Sequence, residues 1–385
     1  MYAEYDIQLL SSMGLPACRI ADWQQLSFTR NINNIGSATI SVPYTKARWN
    51  ALKRDTILVA TRTDMHGARR LVGGTHWLCT KRGPLSLSST GQLLISASFS
   101  DLLCLLQRRL VAAESGSAQA TKSDAAESIV KALVNEQLLS DRTVNGVSIP
   151  GWQSFLSLET DAGRGPTEYV NAPWQDVLSA SQQVARMSAW DGTYLAFDFE
   201  VQGTLAYQFC CYPNQRGVDR SQSAARPLVI STDAGKLGTF SYDEDYTACA
   251  SALFCTGQSK GGAQLAKYVT NAALEYAGPF SHTEKCGSGQ QSGNANLILS
   301  QAKTLLRSYR PLVEVSGTVL ETENCLLGRD FDFGDRLTMS CAGIVLPAYL
   351  EMLQLQVDNS GSETITVTMR GELLDPDTGA VIPTA

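Results

Sequence analysis

The sequence predicts an α+β chain that is predominantly β, with two small β-barrel-like domains separated by α+β domains. Three observations lead there. Both ends of the chain are built from short runs of alternating or β-branched residues bounded by Gly, Pro, Asn and Asp. The middle carries apolar stripes at helical spacing. At 385 residues the chain exceeds what one hydrophobic core usually supports, so several compact units are expected.

In chain order, YDIQLL, LSFTRNI, GSATISVPY, DTILVATRT, RLVGGTHWLCTKR and GQLLISASF read as strands of a first β-barrel unit over residues 1–110. Asp64, His66 and Gly67 between two of them read as a hairpin. Leu102, Leu103, Leu105, Leu106 and Leu110 then recur at roughly helical spacing, and Ala112 to Lys122 reads as a connection. An α+β unit is expected over 111–225. In it Ser123 should cap a helix with Asp124 in its first turn and Ile129, Val130, Leu133 and Leu138 on one face. A second helix should start at Pro173 and stop before Asp191-Gly192, followed by the hairpin TYLAFDFEV and GTLAYQFCCY.

Residues 226–293 read as a β-rich segment ending in a Gly-Ser-Gln loop. Residues 294–385 read as a helix followed by a second β-barrel unit. That helix is the clearest in the chain, with Ile298, Ala302, Leu305, Leu306 and Tyr309 on one stripe and Pro311 at its end. Asn359-Ser360-Gly361 reads as the turn between the last two strands.

Charge and chemistry narrow the function. Only 18% of residues are charged, below the roughly 25% of typical soluble domains, which fits a surface covered by other subunits. A net charge of −6 gives no basic field to hold nucleic acid or anionic lipid. No apolar run approaches the about 20 residues of a membrane span, and MYAEYDIQLL lacks the features of a signal peptide, so no membrane contact is expected. The ten cysteines are dispersed without a C-x-x-C pair and read as buried small hydrophobes in a reducing compartment, although Cys249 and Cys255 could pair.

The search for a catalytic, cofactor or metal site returns none. Gly73-Gly74 and Gly261-Gly262 lack the lysine and spacing of a phosphate loop. No G-x-S-x-G elbow occurs, since Gly287-Ser288-Gly289 and Gly361-Ser362 do not fit it. His282 beside Glu284 and Cys286 is the one local cluster, read as a hydrogen-bonded loop. Asp243, Glu244 and Asp245, like Glu321 and Glu323, read as solvated faces rather than a glycosidase pair. Asp330, Asp332 and Asp335 in RDFDFGDRL read as outward charges alternating with inward phenylalanines, not a calcium loop. The six tryptophans are scattered and read as core packing.

The order of these segments carries a resemblance. YDIQLL followed by WQQLSFTRNINNIGSATISVPY, then DTILVATRT, is similar to the first barrel of tail-hub proteins of long-tailed bacteriophages, the Gp37-like siphophage tail protein family. GPLSLSSTGQLLISASFSDLLCLLQRRLV resembles that family's strand running into a leucine-rich helix. YAGPFSHTEKCG resembles its mid-chain segment, and SQAKTLLRSYRPLVEVSGTVLE with FDFGDRLTM resembles its second barrel. The likeness runs from about Tyr2 to Leu373.

What it implies is a structural baseplate or tail-tip subunit and not an enzyme. The subunit would be a homotrimer whose paired barrels form a ring between the six-fold tail tube and the three-fold tip. The implied partners are a distal tail or tail tube protein on one side and a tip or central fibre protein on the other, with transient contact to DNA in the lumen. The chain would be made in the host cytoplasm and reside in the virion. Because it ends at Ala385, soon after the second barrel, any lytic activity would belong to another chain. Two other functions remain in view. One is a cell-wall hydrolase using Asp243, Glu244 and Glu284; the other is a receptor-glycan-binding module.

Overall fold

The structure, a computed structural model, describes residues 3–371 apart from 89, 113–120, 145, 191–192, 261–262, 272–277, 289–292 and 310–311. The parts of the connection at Ala112 to Lys122, the helix stop at Asp191-Gly192, the glycine pair at 261–262, the Gly-Ser-Gln loop and Pro311 that fall on these positions lie outside the described residues.

Alternation drives the β architecture. In Gln25–Asn31 the residues Leu26, Phe28 and Arg30 face inward, and in Leu93–Asp101 so do Ile95, Ala97, Phe99 and Asp101. Gln25–Asn31 pairs antiparallel with Asn34–Pro43, which pairs with Leu93–Asp101, then Trp77–Leu87, Ile57–Thr63, Glu4–Leu10 and Pro16–Ile20. On its other side Gln25–Asn31 pairs with the far end of the chain. Strand Ile344–Asp358 sets Leu353 against Arg30, Leu355 against Phe28 and Val357 against Leu26. The same long strand pairs through its first half with Arg336–Cys341 and along its other edge with Glu363–Gly371. Leu312–Val319 and Leu237–Asp245 complete the order. Among the described residues the two terminal β regions therefore belong to one fifteen-stranded sheet with one shared core that includes Phe28, Trp77, Phe99, Phe331, Phe333 and Met369.

The middle of the chain forms a second core. Hairpin Leu195–Gly203 and Ala206–Pro213, with Leu156–Leu158 added in parallel, packs against helices Ala126–Val134 and Val177–Trp190. A third, smaller core lies between the sheet of Ala252–Lys260, Ala263–Thr270 and Glu284–Ser288 and the helix Ala295–Ser308. Asn294 caps that helix, accepting from Asn296 N at 3.0 Å.

Three local expectations are corrected. Ser123 and Asp124 do not open a helix; they sit in strand Thr121–Ala125, opposite Tyr169 and Glu168. The helix after it begins at Ala126 because backbone carbonyls cap it, Pro166 accepting from Ala126 N at 2.9 Å and Arg164 from Glu127 N at 3.1 Å. The leucine-rich segment gives only the turn Cys104–Gln107, since Leu102, Leu103, Leu105 and Leu106 are all buried rather than gathered on one stripe. The second helix starts at Val177, not Pro173, because Trp174 takes a left-handed conformation (φ 60°) and Asp176 Oδ1 accepts from Ser179 N at 2.9 Å. The expected hairpins at Asp64–Gly67 and Asn359–Gly361 both close, on Gly67 N to Asp64 O and Gly361 N to Asp358 O, each 3.0 Å.

Candidate assembly interface

Two buried charge clusters tie the large sheet together and to the middle unit. Arg30, inward on its strand, has Nη1 3.1 Å from Asp101 Oδ2 and its other Nη on Asp198, which belongs to the middle hairpin. Arg216 Nε lies 2.7 Å from the same Asp198 oxygen, and both guanidinium groups sit over the Phe333 ring at 5.1 and 5.2 Å. Asp101 also accepts from Gly36 N (2.9 Å) and Leu103 N (3.1 Å). Burial pushes its carboxyl up to about 6, against the pull of Arg30. Beside this cluster the hairpin tip at Asn33 (φ 54°) enters the middle unit. Its side chain donates to Leu195 O at 2.8 Å and accepts from Phe197 N at 2.8 Å.

The second cluster joins the terminal β regions. Arg62 grips Glu363 in two-pronged fashion at 2.8 and 2.7 Å and reaches Glu321 at 2.6 Å, while Tyr5 donates to Glu363. Burial works against the Arg62 charge, but the hydrogen bonds and field of Glu363 outweigh it and raise its pKa. In the middle unit, burial would raise Glu127, yet hydrogen bonds from Arg164 and Lys131 hold it down at about 2.

Among the described residues three groups of apolar side chains on this frame are exposed. The hairpin of Trp77–Leu87 and Leu93–Asp101 runs past its core. Leu85 stands opposite buried Ile95 and Leu87 opposite Leu93, so the core-facing row continues outward while Leu85, Leu87 and Leu93 are exposed. Among the described residues strand Leu237–Asp245 pairs only with Leu312–Val319 and leaves an open edge bearing exposed Phe240, with Tyr246 just beyond it. Strand Pro16–Ile20 is the other end of the sheet order, next to exposed Met13 and Leu15.

The residues singled out in the sequence do not converge on one centre. Asp243, Glu244 and Asp245 lie on the open edge; hydrogen bonds from Tyr242 and Tyr246 lower Glu244, and Asp245 takes Thr247 N at 2.8 Å. Glu284 belongs to the separate three-stranded sheet, with His282 Nε2 at 3.3 Å and Tyr268 Oη at 3.5 Å. Cys286 follows on the same strand, exposed, while the backbone carbonyl of Glu323 accepts from Arg329. Asp330 pairs with Arg329, and Asp332 is exposed.

Asp335 departs from the outward reading. It is buried, accepting from Val218 N at 2.6 Å and Asp332 N at 2.9 Å, because it closes the turn that seats Gly217 and Val218. Phe331 and Phe333 do face inward. Among the described residues no group of three or more His, Cys, Asp or Glu could hold a metal ion, and no helix is long and apolar enough to cross a membrane. All ten cysteines are free thiols, seven of them buried. Trp77 is core, but Trp174 is 55% exposed.

Sequence reasoning missed Arg30, Asp101, Asp198 and Arg216. The one available signal was an arginine and an aspartate at inward positions of alternating strands.

The structure is similar to solved tail proteins along its whole length. The tail protein from Neisseria meningitidis MC58 superposes with a TM-score of 0.55 at 12% identity, covering 99% of each chain. The 43 kDa tail protein of prophage MuSo2 from Shewanella oneidensis gives 0.58 at 10% identity, covering 95% of this chain and 98% of that one. Prophage tail protein gp18 from Listeria monocytogenes EGD-e gives 0.52 at 12% identity, over 95% and 94%. At these identities the likeness is one of fold. No curated protein matches by sequence. The family model described as Siphovirus ReqiPepy6 Gp37-like protein matches residues 17–369, and the chain belongs to that siphovirus tail protein family.

Proposed function

We propose that this tail protein is a hub subunit of a phage tail tip or baseplate. Three copies close into a ring that joins the six-fold tail tube to a three-fold tip and lets DNA pass during infection. The observation that carries the reading is the row Leu85, Leu87 and Leu93, a continuation of a core face that is exposed. Among the described residues an unpaired edge at each end of the sheet order adds surface for neighbouring copies. The ring would be the work of residues 1–110 and 294–385, with 111–225 and 226–293 as insertions reaching a distal tail or tube protein on one side and a tip or central fibre protein on the other. Contact with DNA in the lumen would be transient, as the net charge of −6 favours sliding over holding. The chain acts as scaffold, not enzyme, and resides in the virion.

The test is mass photometry and negative-stain imaging of the purified chain at micromolar concentration, alone and mixed with the neighbouring tail proteins of its phage. A three-chain ring is expected. A chain that stays monomeric in every mixture would overturn the reading.

A further inference from the structure

The three-stranded sheet of Ala252–Lys260, Ala263–Thr270 and Glu284–Ser288 has one face covered by a helix and, on the other, partly exposed aromatic side chains. Leu253, Cys255 and Val269 pack on Ile298, Ala302 and Leu306 of the helix Ala295–Ser308, which gives the sheet a fixed backing. On the other face Phe254 stands opposite Tyr268 on one neighbouring strand and Cys286 on the other, and Ala252 opposite Glu284. The Phe254 and Tyr268 rings form a tilted stack with centroids 4.4 Å apart and planes 38° apart, and both are about two-fifths exposed. Next to them Tyr268 Oη, His282 Nε2 and Glu284 Oε1 come within 3.3 to 3.5 Å of one another. The Glu284 side chain is half exposed, and its recorded hydrogen bonds use Oε1.

We propose that this face is a saccharide-binding site. One sugar ring packs against the exposed part of the Phe254–Tyr268 stack, and its hydroxyls donate to Glu284 and bond to His282 and Tyr268. The mixture of groups selects the occupant. A purely apolar partner would cover the Glu284 carboxylate without replacing its water, at a cost no two rings offset. A nucleic acid strand could stack on the rings, but its phosphates would meet Glu284 and a chain of net charge −6. A neutral pyranose meets both requirements, since its C–H face is apolar and its rim donates hydrogen bonds to a charged acceptor. The site lies outside the large sheet, so the proposal stands whether or not the chain closes into a ring.

Saturation-transfer NMR on the full chain with N-acetylchitotetraose, maltotetraose, cellotetraose and a β-1,4-galactotetraose tests this directly. At least one is expected to show transfer, with Kd on the order of 0.1–1 mM, as befits a single-ring contact. Tyr268→Ala or Phe254→Ala should abolish it. Glu284→Gln, an isosteric change at a half-exposed position, should weaken it about tenfold through loss of a charge-assisted bond while circular dichroism stays unchanged. No transfer from any of the four sugars at 5 mM would overturn the proposal, as would transfer that survives Tyr268→Ala or Glu284→Gln at full strength. The ring is read separately, by imaging the same samples.

Discussion

Replacing Arg30 with methionine removes one of two cations from a buried set of four charges. Asp198 keeps Arg216 at 2.7 Å, but Asp101 loses its one cation and keeps only the Gly36 and Leu103 N–H groups. Breaking a buried pair from one side costs about 3–5 kcal/mol. The loss has a ceiling, because Asp101 can escape it by taking up a proton. From an ordinary carboxyl near 4 that costs about 1.4 kcal/mol per pH unit, or about 4 kcal/mol at pH 7 and under 2 at pH 5.

The sign follows. Asp101 is already raised to about 6 in the folded chain, so the stability it contributes by binding a proton is full at low pH and lost as pH rises through about 6. Removing Arg30 raises it further, and the penalty must shrink on acidification. Urea unfolding followed by the fluorescence of Trp77, which packs 5.6 Å from Phe28 in the same core, reads the effect. A loss of about 3–5 kcal/mol is expected at pH 7, falling by about 2 kcal/mol or more at pH 5. Arg30→Met with Asp101→Asn should recover much of it. A loss below about 1 kcal/mol, or one independent of pH, would refute this account of the cluster.

His76 is buried against the Tyr207 hydroxyl at 3.2 Å, and burial lowers its pKa to about 4. Its contribution is therefore full above about pH 6.5 and lost as pH falls towards 4, up to about 3 kcal/mol, and His76→Phe should flatten that slope in urea midpoints measured across the window. In Gly217→Ala the new methyl would lie 2.1 Å from Asp335 Oδ1. It should displace the carboxylate that holds Val218 N and lower stability by about 2–4 kcal/mol, seen as a depressed Tm, whereas a Tm within a degree of wild type would contradict the close approach. Leu87→Asp, at an exposed position, should leave the unfolding midpoint within about 0.5 kcal/mol yet abolish ring formation in mass photometry. Glu363→Gln should cost about 2–4 kcal/mol by leaving Arg62 with Glu321 alone, measurable by the same urea titration.

Local chemistry made much of the fold legible. The period-2 burial of Gln25–Asn31, the Gly361 turn and the stripe through Ile298, Ala302 and Leu306 are each properties of a short window, and each formed as read. What could not be read is what two distant windows do together. Nothing in LSFTRNI announces that its free edge is filled by residues 352–358. Ser123 carries a cap residue's hydroxyl, but pairing with Tyr169 decided its conformation. Trp174 shows no local reason for its left-handed backbone. The same limit hid the candidate sites. Glu284 and His282 are neighbours in sequence, but the rings of Phe254 and Tyr268 reach them only through strand register.

The strand Ile344–Asp358 also has a consequence in time. Its last residues complete the sheet that Gln25–Asn31 begins, so during synthesis the first half of the chain waits with that edge unpaired. At about 5–20 residues per second the wait is tens of seconds. A chain cut short anywhere before residue 352 keeps this edge open and lacks the shared core. The fold thereby makes its finished surface depend on translation having passed residue 352, and until then the unpaired edge is open to the wrong sheet.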